Sequence, residues 1–232
     1  MIITLTPNPS LDLLYTADRL VWDDANRIPM PRRRPGGQGI NLVRAVRVLD
    51  PGAGVRAVAP FGGQVGDELR GILEAEGTPL AAVPIAGETR VFVGVRESET
   101  GRSLLLNPRG PEVTPAEAEA LLRAVGTALD EAGDAAWLVA SGSLLPGLSP
   151  DFYARAGRLA RDRGARFVPD GDGEALAAAV PEADLLAPNA LEAGRLVGGE
   201  VETREHAFGA ARALRSRGPA RVVITLGTEG AV

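Results

Sequence analysis

Apolar positions along the chain follow two alternating rhythms. Short β-branched or apolar runs predict strands at Ile2–Thr6, Val55–Pro60, Arg90–Arg96, Ser103–Asn107, Trp137–Ser141, Arg166–Asp170, Asp184–Ala187 and Arg221–Leu226. Longer stretches with helical spacing predict helices near Ile40–Leu49, Gly66–Glu76, Pro115–Glu131, Pro150–Arg163, Gly173–Val180, Leu191–Leu196 and Arg204–Ser216. The helix after Thr114 carries its own start signal: a hydroxyl to cap, Pro115 in the first turn, and acids beside the positive end of the dipole. "SPDFYARAGRLA" from Ser149 repeats that arrangement.

Strand-helix alternation of this kind predicts an α/β fold, a mostly parallel sheet between two helical layers. Two segments break the rhythm. Asp12–Pro35 and the pair Arg90–Arg96 with Ser103–Asn107 read as extra strands without helical crossovers, the pair joined by a hairpin turn at "ESETGRS". We expect one domain over residues 1–232, with antiparallel lid strands drawn from about 12–35 and 88–108.

Composition removes several kinds of chemistry. There is no cysteine among the 232 residues, which excludes disulfides, zinc-thiolate sites and thiol nucleophiles. All 25 basic residues are arginine, so no Schiff-base or P-loop lysine exists, whereas forked contacts to phosphate remain open. The formal net charge of -5 is spread along the chain, and no basic stripe suggests nucleic acid. Arg32-Arg33-Arg34 reads as a solvated turn. No secretory leader and no apolar run of about 20 residues is present, so no membrane partner is expected and the chain reads as cytoplasmic. The single histidine, His206, falls on a surface helix and is given no metal role.

In an open α/β sheet, ligands sit beyond the carboxyl ends of the strands. The unusual residues collect there: "TPNPSLD" ending in Asp12, "FGGQVGD", "SGSLLPG", "DGDGE", "APNALEA" and "LGTEG". "PGGQGIN" places glycines at a helix start, where free N–H groups favour an anion or a hydroxyl-rich ligand, with Asn41 in the first turn. Taken alone, Asn189 and Glu192 read as a helix cap followed by a surface acid.

The order of these motifs resembles the PfkB (ribokinase-like) carbohydrate kinases, in their 1-phosphofructokinase and tagatose-6-phosphate kinase branch. "TLTPNPSLD", "GGQGIN", "GETR", "RGPEVTP", "SGSLLPG", "PNALE" and "TLGTEGA" occur in the branch's order and cover essentially the whole chain. The resemblance implies a ribokinase-like three-layer core with a β lid. It also implies phosphoryl transfer from ATP, with magnesium, to fructose 1-phosphate or tagatose 6-phosphate. Asp12, Gly36, Gly37, Gln38 and Asn41 would line the sugar pocket, and Arg90 and Arg109 would neutralise the phosphate already on the sugar. Asn189 and Glu192 would position magnesium through water, while Thr225, Gly227 and Gly230 would border the nucleotide. A homodimer through the lid strands is a further expectation.

Three departures bear on that picture. Gln38 stands where the signature has lysine, and Ala187 where the branch often has lysine before Pro-Asn. The family's catalytic base, the aspartate of a GAGD motif beyond "LGTEGA", has no counterpart up to Val232. The expectation is therefore a kinase domain that is C-terminally incomplete, with a non-catalytic sugar-phosphate-binding protein as the alternative.

Overall fold

The computed structural model describes residues 1–133 and 135–232. The chain runs β1 (Ile2–Leu5), β2 (Ser10–Ala17), β3 (Arg32–Gly36), α1 (Gln38–Leu49), β4 (Val55–Phe61), α2 (Gly63–Ala75) and β5 (Leu80–Pro84). It continues with β6 (Arg90–Glu97), β7 (Ser103–Leu106), α3 (Pro115–Ala132), β8 (Trp137–Ser141), α4 (Phe152–Arg161) and β9 (Arg166–Asp170). The last part holds α5 (Gly173–Ala179), β10 (Leu185–Leu186), α6 (Ala190–Val197), α7 (Arg204–Arg215) and β11 (Arg221–Val222).

The central sheet has the order β5-β4-β1-β8-β9, with every pairing parallel. Both faces are covered. On β4, Val55, Ala57, Ala59 and Phe61 turn toward α1 and α2, whereas Val58 joins the cluster packed under α3 and α4. Such a strand is apolar at nearly every position because neither face meets water. Ile40, Leu69 and Leu73 seal one face with no exposed surface, and each contributes roughly 1.5–3 kcal/mol by leaving water. A third cluster, around Leu186, Ala207, Leu214 and Ile224, holds the two-stranded parallel extension β10-β11 against α6 and α7.

A second sheet, ordered β3-β2-β6-β7, forms the lid. It corrects the expectation of an antiparallel lid: β2 pairs antiparallel with β3 but parallel with β6 over Ser10↔Arg90 to Ala17↔Glu97. The predicted hairpin is present, with Gly101 at φ 71 in its turn and β7 antiparallel to β6. The Arg32-Arg33-Arg34 run is not a turn. It is most of edge strand β3, with Arg33 paired to Glu68 on α2 at 2.6 Å. The strand predicted at Arg221–Leu226 stops at Val222, and beyond it Thr225 makes only isolated bridges to Asn189 and Ala231.

Thr114 caps α3 in a full capping box with Glu117, as its sequence predicts, and Glu117 also accepts from the Ala86 N–H at 2.7 Å. The repeat at Ser149 behaves differently. Its hydroxyl bonds Asp151 at 2.5 Å, and α4 starts at Phe152 with no side-chain cap. Among the described residues no helix is long and apolar enough to cross a membrane.

Candidate active site

Strand order reverses direction around β1: the chain moves outward to β4 and β5 on one side and to β8 and β9 on the other. A crevice must open where neighbouring connections leave in opposite directions, beyond the carboxyl ends of β1 and β8. A cleft of about 640 Å³ lies there, between the core and the inner face of the lid.

Cross-strand register decides which side chains reach it. Ser10 pairs with Gly36 and Arg90, and Asp12 pairs with Arg34 and Phe92, so these residues share one face of the lid. Asp12 Oδ1 accepts from Ser10 Oγ at 2.6 Å. Burial raises the Asp12 carboxyl above its ordinary value, and the Ser10 hydrogen bond and the charges of Arg90 and Arg34 offset part of that rise. A Cβ on Gly36 would overlap Asp12 Oδ1 and lie 2.5 Å from Ser10 Oγ. That position is glycine because the carboxylate occupies the space.

Gly37, at φ 115, turns β3 into α1, and the helix has no side-chain cap. Thr6 Oγ1 accepts from the Ile40 N–H at 3.1 Å, which fixes the start of α1 against the end of β1. Gln38 and Asn41 line the cleft from this first turn. The Gln38 amide oxygen lies 3.5 Å from where a side chain on Gly142 would begin, so Gln38 reaches across toward the β8–α4 loop.

Arg90 is half-buried and anchored. It donates to the Asn8 carbonyl at 2.9 Å, the Pro108 carbonyl at 3.0 Å and the Asn107 side chain, while its Nε is buried without a partner among the described residues. Burial lowers its proton affinity and the Asp12 charge raises it. Asn8 ties the joint together by donating to the Arg109 carbonyl at 2.8 Å and to Ser143 Oγ at 3.0 Å. The motif reading missed Asn8 and Ser10 as site residues, although both stand inside "TPNPSLD".

At the other end of the cleft stand Asp170, which ends β9, and Glu192 on α6. Burial raises the Asp170 carboxyl, and the charge of Glu192 raises it further. Two carboxylates set against each other on a cleft wall suit a hard divalent cation, which they would share with water and phosphate oxygens. The motif order assigned Asp170 no role, although it opens the stretch "DGDGE". Its place at the carboxyl end of a strand was the available signal.

Some expected residues are not in the cleft wall. Arg109 is exposed, and only its backbone carbonyl is tied to the site. Asn189 spends its side-chain oxygen on the Glu192 N–H at 2.9 Å, completing a capping box. Thr225 is exposed but joined to Pro188 and Ala190 through backbone hydrogen bonds, which sets its loop beside the start of α6. Gly227 and Gly230, at φ 60 and 89, serve the tight turn between them.

A doubly covered parallel sheet with a β lid over a polar, charged cleft places the chain among α/β domains shaped to receive a small hydrophilic ligand. The chain belongs to the pfkB family of carbohydrate kinases, whose model matches residues 7–232. It is 38% identical over 232 residues to an ATP-dependent 6-phosphofructokinase isozyme 2 of Mycobacterium tuberculosis, covering 100% of this chain and 67% of the relative. It is 29% identical over 233 residues to the 1-phosphofructokinase of Bacillus subtilis, covering 100% of this chain and 74% of that relative. The crystal structure of phosphofructokinase-2 from Escherichia coli in complex with fructose-6-phosphate superposes with a TM-score of 0.90 at 32% identity. That match covers 99% of this chain and 75% of the other.

Proposed function

We propose that residues 1–232 belong to a single kinase domain whose sites take a fructose phosphate as acceptor and ATP with magnesium as donor. Fructose 6-phosphate is the first candidate, followed by fructose 1-phosphate and tagatose 6-phosphate. The observation that carries this reading is the lid face itself, where Asp12 and the half-buried Arg90 stand in one cleft with Asn41. Asp12 accepts from sugar hydroxyls, Asn41 donates and accepts, and Arg90 balances the phosphate already on the sugar. The name of the Mycobacterium tuberculosis relative favours the 6-phosphate.

Asp170 and Glu192 would hold magnesium, with water between, at the far end of the cleft, and Asn189, Thr225, Gly227 and Gly230 would border the nucleotide. Magnesium supplies charge neutralisation on the phosphates when bound. Arg109 enters the phosphate site only if its exposed side chain swings inward. The exposed Leu105 and Leu106 on edge strand β7, with Trp22 exposed beyond β2, support a homodimer assembled through the lid, which light scattering would read as doubled mass.

Calorimetric titration of the three ketose phosphates and of free fructose tests the assignment. Fructose 6-phosphate is expected to bind at least tenfold more tightly than fructose, and equal affinities would end the reading. Gln38→Lys is expected to tighten the same binding by about 1 kcal/mol, because a charge-assisted bond replaces a neutral one. An unchanged affinity would place position 38 outside ligand contact.

A further inference from the structure

A second cleft, about 680 Å³, adjoins the first through Asp12 and Asn41 and lies between β3, α1 and the turn after α2. Three arginines line it: Arg34 on β3, and Arg44 and Arg47 on successive turns of α1. Glu76 holds Arg44 in a fork, with Nε–Oε2 at 2.8 Å and Nη2–Oε1 at 2.9 Å, while Arg47 donates to the Glu76 carbonyl at 3.1 Å. Arg34 has no ion-pair partner among the described residues. Leu14, Val48 and Pro51 supply an apolar wall beside these cations.

We propose that this cleft is a second anion site, which takes a small phosphorylated compound distinct from the acceptor sugar. Three guanidinium groups around one concavity repel one another. Of the two carboxylates in the wall, Asp12 accepts from Ser10 and offsets part of the Arg34 charge without an ion-pair contact, and Glu76 pairs with Arg44, so the cations outnumber the anions. A phosphoryl dianion satisfies all three arginines through paired N–H bonds. Its volume exceeds what phosphate alone fills, so the apolar wall receives the body of the ligand. Glu76 is a built-in competitor, and a displaceable one, because the Arg44–Glu76 pair keeps 23% and 36% of its side-chain surface in solvent.

Arg44 also reaches Asn41, donating to its Oδ1 at 3.4 Å. An anion that draws Arg44 off Glu76 therefore moves a group in contact with the acceptor cleft. That coupling rests on the assignment of Asn41 to the sugar, whereas the anion site itself does not.

The test is titration of the 232-residue chain with inorganic phosphate and with phenyl phosphate, followed by calorimetry and by the arginine Nε–H resonances. Phosphate is expected to shift Arg34, Arg44 and Arg47 in one transition that persists in Arg90→Gln and disappears in the Arg44→Gln/Arg47→Gln double variant. Glu76→Gln is expected to tighten that transition roughly two- to fivefold, the effect of removing one exposed competitor. Phenyl phosphate is expected to bind more tightly than phosphate and to shift the Val48 methyls. The proposal is overturned if phosphate shifts only Arg90, if chloride reproduces the shifts, if the double variant keeps the transition, or if Glu76→Gln leaves it unchanged. Equal affinity of the two probes would overturn the assignment of the apolar wall.

Discussion

Gly36→Ala is expected to weaken hexose-phosphate binding roughly 100-fold while the chain remains folded. The alanine Cβ would overlap Asp12 Oδ1 and press on Ser10 Oγ at 2.5 Å, so the carboxylate must swing away and its hydrogen bond to Ser10 must break. A displacement of about 1 Å in a ligand-positioning group costs roughly 100-fold, the loss expected by calorimetry with fructose 6-phosphate. The stability cost should stay within about 1–3 kcal/mol, as for a modest overpacking, because the obstructing atoms belong to side chains. Gly37 is a poorer probe. Its φ of 115 suits glycine, and a Cβ there would meet Thr6 Cγ2 at 2.6 Å, so a side chain at that position damages the fold and the site together. Normal binding by Gly36→Ala, with urea unfolding little changed, would remove Asp12 from the sugar site.

How much of this was legible in the sequence depended on how local the signal was. Strands β8 and β9 and helix α3 announced themselves, the strands by short apolar runs and the helix by its Thr114 cap, Pro115 and first-turn acid. Strand β5, "LAAVP", did not, because a short edge strand with Val83 as its one β-branched residue shows no clear alternation. Strand β3 was hidden for a different reason. A proline and three arginines look like a turn, yet an edge strand tolerates Pro35, and solvent accepts the arginines. Its pairing with β2 sets Arg34 opposite Asp12, a contact between segments too distant for any local pattern to reveal.

The site followed the same division. Asp12, Gly36, Gln38 and Asn41 came together because motif order carried them, and the fold then supplied the reason for each. Arg109 could not be placed in that way. In an extended segment, side chains alternate between faces, and one step decides whether a guanidinium meets the ligand or water. Asn189 and Glu192 gave two readings from one pattern. The structure keeps both, since Glu192 Oε2 accepts from the Asn189 N–H at 2.9 Å while the residue also lines the cleft. A capping box can therefore orient a carboxylate toward a ligand without surrendering it.

Arg90→Gln is expected to erase the preference for phosphorylated over free hexose. The Arg90 guanidinium is held by the Asn8 carbonyl at 2.9 Å, the Pro108 carbonyl at 3.0 Å and the Asn107 side chain, with Nε unpartnered. It is thus a preoriented cation, and a phosphate is the ligand that uses both its charge and its fixed orientation. Truncating a buried, hydrogen-bonded charge typically costs about 2–5 kcal/mol, so fructose 6-phosphate affinity should fall by roughly 30- to 5,000-fold. Free fructose lacks the phosphate and should lose far less. Its remaining loss comes through Asp12: without the Arg90 charge, the Asp12 carboxyl moves further above its ordinary value and is a weaker acceptor for hydroxyls. Arg90→Lys should fall between the two, because it restores the charge without the planar fork. The decisive quantity is the ratio of the two affinities, since a merely structural role for Arg90 would lower both together and leave that ratio at its wild-type value.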